Sequence, residues 1–275
     1  MEFPKLYAIV DRETLDRRGV AVRTFAEELV EGGVRLVQYR DKVSGAQEIL
    51  RACGEIASVF EGVDACLILN DRADLAALLG WGCHVGQGDL GVGDVRRVVG
   101  LGEGFKRGAR GGFAEVAVGL TALTPHPSRS EERDEWGTRV VGVSTHSVEE
   151  MVQADGLLGG PGMGGSGRAN RAMPTSQNRD MGHPDFAGSS WGSDYLAVGP
   201  VFGTVTKLDA EAVVGLEGVR MARRLTRRPL VAIGGIGLGN FRSVLEAGAD
   251  SVAVISGLFV EGRRVREVAR EFLAG

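Results

Sequence analysis

A (β/α)8 barrel, often called a TIM barrel, is the fold this sequence predicts, and three observations predict it. Short apolar runs alternate eight times with stretches whose apolar residues recur at helical spacing. The chain has 275 residues, a length that barrels of this kind commonly fill as one domain. Polar clusters follow the strand-like runs, as expected where C-terminal strand ends converge on one mouth.

Leu6-Tyr7-Ala8-Ile9-Val10 reads as the first strand and ends at Asp11-Arg12. Val22, Phe25, Ala26, Leu29 and Val30 then mark a helix over 21–32, which Gly32-Gly33 stops. Val34 to Gln38 is the second strand, ending in Tyr39-Arg40-Asp41-Lys42, and a helix face follows over 45–60. The third strand, Cys66 to Leu69, ends in Asn70-Asp71-Arg72 and leads to a short helix over 73–79. Cys83 to Gly86 is the fourth, ending in Gln87-Gly88-Asp89, with a brief helix over 94–100.

The pattern then stalls over 101–138, where only Phe113 to Leu123 has the composition for local structure. It resumes with the strand Arg139 to Val143, followed by Ser144-Thr145-His146 and a capping-box start at Ser147 and Glu150. A second Gly-rich segment covers about 157–192. The remaining strands are Tyr195 to Val198, Leu230 to Ile233 and Ser251 to Ile255, with helices near 211–225, 240–247 and up to about 273. The expectation is a single barrel domain over 1–275 with two Gly-rich insertions in helix-to-strand loops, on the face opposite the mouth. A dinucleotide-binding sheet is rejected: Gly235-Ile236-Gly237-Leu238-Gly239 lacks the G-x-G-x-x-G spacing and lies late in the chain. Nor does 159–167 close with the Gly-Lys-Ser/Thr of a phosphate-binding loop.

Composition narrows the function classes. A hydrophobic share of 43% and a charged share of 25% suit a soluble globular chain. The net charge of −4 argues against a nucleic-acid binder, and no run approaches a membrane span. No signal peptide is read at the start, so a cytoplasmic location is expected. Cys53, Cys66 and Cys83 are odd in number and widely spaced, which fits small core residues better than disulfides or zinc.

The strand-end clusters carry the chemistry. Gln38, Arg40 and Lys42 follow the second strand, Asn70 and Asp71 the third, Asp89 the fourth and Ser144 the fifth. Thr204, Thr206 and Lys207 follow the sixth, and Gly234-Gly235 and Ser256-Gly257 follow the seventh and eighth, a usual barrel phosphate site. Three cations among hydroxyl and amide donors suit more than one phosphate. Two carboxylates in the same mouth suit a hard cation, because Mg²⁺ takes one or two carboxylates together with phosphate oxygens. Taken singly, each residue has a plainer reading. Arg40 or Lys42 could be a surface charge, Asp71 a cap for a helix near Arg72, and His84 a packed strand residue.

Together, Gln38-x-Arg40-x-Lys42, Asn70-Asp71-Arg72, His84-Val85-Gly86-Gln87-Gly88-Asp89, Gly142-Val143-Ser144-Thr145-His146, Gly199-Pro200-Val201-Phe202-x-Thr204-x-Thr206-Lys207 and Ile233-Gly234-Gly235-Ile236 resemble the motif series of the thiamine phosphate synthase family. The motifs come in the family's order, and the two Gly-rich segments stand outside them. The resemblance implies a transferase that joins hydroxymethylpyrimidine diphosphate to a thiazole phosphate and releases pyrophosphate. By the same carry-over, Gln38, Tyr39, Arg40, Asp41, Lys42, Asn70, Ser144 and Lys207 bind the pyrimidine diphosphate, with Arg40, Lys42 and Lys207 as catalytic cations. Asp71 and Asp89 would hold Mg²⁺, and Thr204, Val205, Thr206, Gly235, Ile255 and Ser256 the thiazole phosphate. Tyr39 stands where the family more often has an aliphatic residue. The implied partners are small-molecule substrates, with no nucleic acid or membrane, and a homo-oligomer is compatible. Two alternatives are a thiazole tautomerase-like relative, for which His146 speaks, and a non-catalytic sensor of the same phosphates. Asp89 and Thr204-x-Thr206-Lys207 speak against the tautomerase.

Overall fold

The computed structural model describes residues 3–86, 88–104, 140–145, 193–204 and 212–275. Its strands are β1 (Leu6–Asp11), β2 (Leu36–Arg40), β3 (Cys66–Asn70), β4 (Gly82–Val85), β5 (Val141–Thr145), β6 (Tyr195–Val198), β7 (Leu230–Ile233) and β8 (Ser251–Val254). All pair in parallel in chain order, and β8 closes on β1. The described helices are α1 (Arg12–Arg18), α2 (Val22–Gly32), α3 (Ala46–Val59), α4 (Ala73–Leu79), α5 (Val92–Gly104), α6 (Gly215–Leu225), α7 (Phe241–Glu246) and α8 (Val265–Ala274). The predicted (β/α)8 barrel is therefore observed.

Three local differences from the sequence expectation have physical causes. Strand β2 starts at Leu36, two residues late, because the end of α2 consumes Val34. Gly33 turns left-handed at φ 87°, and Val34 N–H closes back on the Leu29 carbonyl at 3.0 Å, satisfying a carbonyl that the helix end would leave open. Strand β5 likewise runs to Thr145 rather than stopping at Val143. Helix α1 was not expected at all. It is nucleated by Asp11, whose carboxylate accepts from Thr14 N–H at 3.0 Å, and stopped by Gly19 at φ 63°. Only Thr14 and Leu15 are buried in it, so it shows no apolar period.

Helix α5 extends to Gly104 and takes in the first four residues of the first insertion. The rest of 101–138, the whole of 157–192 and the helix start at 147–150 lie outside the described residues.

Side chains alternate between two cores. Tyr7, Ile9, Leu36, Cys66, Ile68, Val140, Tyr195, Ala197, Val231 and Ala253 fill the barrel interior. Their strand neighbours, such as Ala8, Val10, Val37, Leu67 and Val143, face the helix layer. Cys53, Cys66 and Cys83 are buried and unbridged, as small core residues. Parity then places Asp11, Gln38, Arg40, Asn70, His84 and Ser144 on the inward side, above the apolar floor.

Candidate active site

Two tethered cations occupy the mouth. Arg40 donates to Asp11 at 2.6 Å, and Asp11 is 2% exposed while Arg40 is 21% exposed. The same Asp11 carboxylate accepts from Thr14 N–H and Thr14 Oγ1, so the cap of α1 also holds a guanidinium at the end of β2. Lys42 is paired with Asp71 across the gap between the β2 and β3 loops.

Asp71 does not cap α4, whose N-cap is Arg72 with no side-chain cap bond. Instead it stands at φ 62°, the one described non-glycine residue with positive φ. Aspartate tolerates this region better than most residues, and such strain collects at functional sites. The peptide is pinned by Asp71 N–H to the His84 carbonyl at 2.7 Å. Asp89 folds back in a tight turn, its carboxylate accepting from Gly86 N–H at 2.8 Å. The Asp71 and Asp89 carboxyls lie within hydrogen-bonding reach of each other. Burial and the Asp89 carboxylate raise the Asp71 carboxyl above its ordinary range, against the pull of Lys42. Among the described residues no group of three or more His, Cys, Asp or Glu side chains could hold a metal ion. A facing carboxylate pair fits Mg²⁺ that draws its other ligands from phosphate and water.

Tyr39 and Asp41 stand apart from the mouth. Tyr39 is fully buried in the outer core and donates to Asp41 at 2.9 Å. Asp41 also accepts from Val43 N–H at 3.0 Å and Ser44 N–H at 2.8 Å, so this pair shapes the loop that carries Lys42.

Three glycine-dependent loops meet on the other side of the mouth. Val201 and Phe202 donate to the carbonyls of Ile233 and Gly234 at 2.8 and 3.0 Å, laying the β6 loop on the end of β7. Gly235, at φ 64°, lies so close to Gly203 and Phe202 that a Cβ would sit 2.6 Å from the Gly203 carbonyl oxygen. A Cβ at Gly257 would come within 2.3 Å of the Ile236 carbonyl oxygen. Thr204, Gly235, Ile255 and Ser256 are thus carried on loops in mutual contact. Val205, Thr206, Lys207 and His146 lie outside the described residues.

Sequence reasoning missed Asp11, Tyr7 and Tyr195, and it took His84 only as a packed residue. His84 is buried at 7% exposure, with Nδ1 at 2.8 Å from Tyr195 Oη and Nε2 at 2.9 Å from Ser144 Oγ. Burial pushes its imidazole down to about 4, so the ring is neutral near pH 7. Inward parity on β1, β4 and β6 was the signal available for all of these.

Known proteins resemble this chain over most of its length. The family model described as thiamine monophosphate synthase matches residues 6–103 and 185–258. A thiamine-phosphate synthase of Koribacter versatilis is 37% identical over 99% of this chain and 96% of its own length. One from Chloroflexus aurantiacus is 30% identical over 98% of this chain and 91% of its own. Among solved structures, a thiamine phosphate pyrophosphorylase of Pyrococcus furiosus superposes with a TM-score of 0.61 and 25% identity. That alignment covers 98% of this chain and 93% of the other.

Proposed function

The chain belongs to the thiamine monophosphate synthase family, and from that premise we propose how its mouth carries out the transfer. The reaction is condensation of a hydroxymethylpyrimidine diphosphate with a thiazole phosphate, giving thiamine phosphate and pyrophosphate. Arg40, Lys42, Asn70, Gln38 and Ser144 bind the pyrimidine diphosphate, and Lys207 joins them from the β6 loop. Thr204, Val205, Thr206, Gly235, Ile255 and Ser256 form the thiazole phosphate side. Tyr39 and Asp41 contribute through the Lys42 loop.

The observation that carries this reading is the pair of tethered cations beside two facing carboxylates. Arg40 and Lys42 are each held by an aspartate before any substrate arrives. Their charge is therefore aimed in advance at a leaving diphosphate, and little reorganisation remains for the reaction itself. The C–O bond to the diphosphate breaks with its electron pair going to the leaving oxygen. The thiazole nitrogen then gives its lone pair to the exposed carbon. Neither step needs a protein nucleophile or base, only stabilised negative charge and an aligned acceptor. Asp71 and Asp89 would hold Mg²⁺, which neutralises diphosphate charge when bound. The nearness of Asp89 to Asp71 supports this, since two facing carboxylates are best relieved by a cation.

The test is pyrophosphate release from the two substrates, with and without Mg²⁺. Mg²⁺-dependent release with formation of thiamine phosphate is expected. Binding of both substrates without turnover would identify a sensor, and aromatisation of a thiazole precursor without pyrophosphate release a tautomerase.

A further inference from the structure

Five side chains from five strands form one continuous hydrogen-bonded line beneath the mouth. Gln38 Nε2 donates to Tyr7 Oη at 2.7 Å, Tyr7 Oη meets Tyr195 Oη at 2.8 Å, and Tyr195 Oη meets His84 Nδ1 at 2.8 Å. His84 Nε2 then meets Ser144 Oγ at 2.9 Å. The two ends, Gln38 and Ser144, are the residues read above as facing the pyrimidine diphosphate. The three side chains between them have no place in that reading. We propose that this line is proton-ordered: it holds His84 as the Nε2–H tautomer, so that Ser144 accepts from the ring and its own proton is not committed to His84. Tyr7, Tyr195 and His84 are then positioning residues. The proposal rests on the functional reading for what Ser144 faces, but the proton order itself does not.

The order follows link by link. Tyr7 accepts from Gln38, and its own buried proton finds its acceptor in Tyr195 Oη. Tyr195 accepts from Tyr7, and its own buried proton finds its acceptor in His84 Nδ1. A neutral imidazole that accepts at Nδ1 carries its proton on Nε2 and donates to Ser144. Burial raises both phenols above their ordinary range, so neither tyrosine gives up its proton near neutral pH. Reversing one link would leave a buried phenol proton without an acceptor, so the links reverse together or not at all.

Packing locks the rings that make the line. Tyr195 stacks on His84 with centroids 5.6 Å apart and planes at 17°. It meets Tyr7 edge-on at 5.8 Å and 83°. On its third side it lies against Gly142, where a Cβ would fall 1.9 Å from Tyr195 Cζ. The glycine of the β5 motif thus makes room for the central ring of the line. For an anionic substrate the order decides polarity, because a serine that donated to His84 would turn lone pairs toward phosphate oxygens.

Two measurements on the full chain test this. In protein labelled with ¹⁵N at histidine, the His84 ring should show the Nε2–H correlation pattern; an Nδ1–H pattern overturns the proposal. Kinetically, Tyr195→Phe and Ser144→Ala should each lower kcat for pyrophosphate release by about 10- to 100-fold, the size of one misdirected bond to a charged group. The KM for the thiazole phosphate should stay put. The double variant should lose no more than Ser144→Ala alone, whereas multiplying losses would show that Tyr195 acts only through structure and overturn the proposal. Should Tyr195→Phe fail to fold, Tyr7→Phe breaks the line one link earlier and carries the same non-additivity test. Wild-type protein without pyrophosphate release would sink the functional reading, while an Nδ1–H ring in an active enzyme would sink the proton order alone.

Discussion

Replacing Asp11 separates the stability of the barrel mouth from its chemistry. In Asp11→Ala, Thr14 N–H and Oγ1 lose their acceptor at the start of α1, a loss of about 0.5–2 kcal/mol for a helix cap. Arg40 also loses its partner. Stripping one member of a buried pair costs about 3–5 kcal/mol. Arg40 is 21% exposed and takes up water when released, so we expect the pair to contribute only about 1–2 kcal/mol of that range. The total expected loss is about 2–4 kcal/mol, read by urea unfolding followed by circular dichroism. Asp11→Asn keeps an oxygen for Thr14 and should lose only about 1–2 kcal/mol. Both variants untether Arg40, and both should lower kcat for pyrophosphate release by about 10- to 100-fold, since a cation that must find its place no longer acts pre-aligned. Wild-type kcat in Asp11→Asn, or a loss under about 1 kcal/mol in Asp11→Ala, would refute the dual role drawn from the structure.

Three further outcomes follow from the same geometry. Asp71→Ala and Asp89→Ala should each cost about two to three orders of magnitude in kcat, unrescued by modest excess Mg²⁺; near-normal turnover in either would remove the metal assignment. Arg40→Ala should depress kcat more than it weakens thiazole phosphate binding, and Ser256→Ala should do the reverse; calorimetry that finds the thiazole ligand lost in Arg40→Ala would mean the mouth is partitioned wrongly. His84 sets a pH dependence of stability. Its folded value of about 4 lies below the ordinary 6.5, so the unfolded chain takes up the proton first as pH falls. Stability from this group is full above about pH 6.5 and declines by up to about 3 kcal/mol toward pH 4. Urea titrations of His84→Leu should show a shallower decline over that window, and an unchanged slope would disprove the assignment.

Much of this was legible in the chain because barrel architecture is written in local periods. Alternating apolar runs define strands, helical spacing defines the layer around them, and eight repeats define closure. Once strand ends are known, period two places Gln38, Arg40, Asn70 and Ser144 on one inward face without any contact being seen. The places where the reading slipped were ends. Val34 looks like a strand residue but serves the cap of α2, and α1 has too few buried residues to show a period. Val205, Thr206, Lys207 and His146 were named from sequence alone and lie outside the described residues.

The tertiary structure decided which group each polar side chain meets. Arg40 could have been a solvated charge, and Asp71 a helix cap. That Arg40 finds Asp11 and Lys42 finds Asp71, each 29 positions away, depends on neighbouring strands in register. Tyr7 and Tyr195 are 188 positions apart, and nothing local marks either as more than a buried aromatic. Their contact exists because closure brings β1 and β6 across one interior, and because Gly142 leaves room for the ring between them. Periodicity is a property of neighbours along the chain and settles which face a side chain takes. Hydrogen-bond partners depend on separations of a few tenths of an ångström between distant segments, and only the closed barrel sets those.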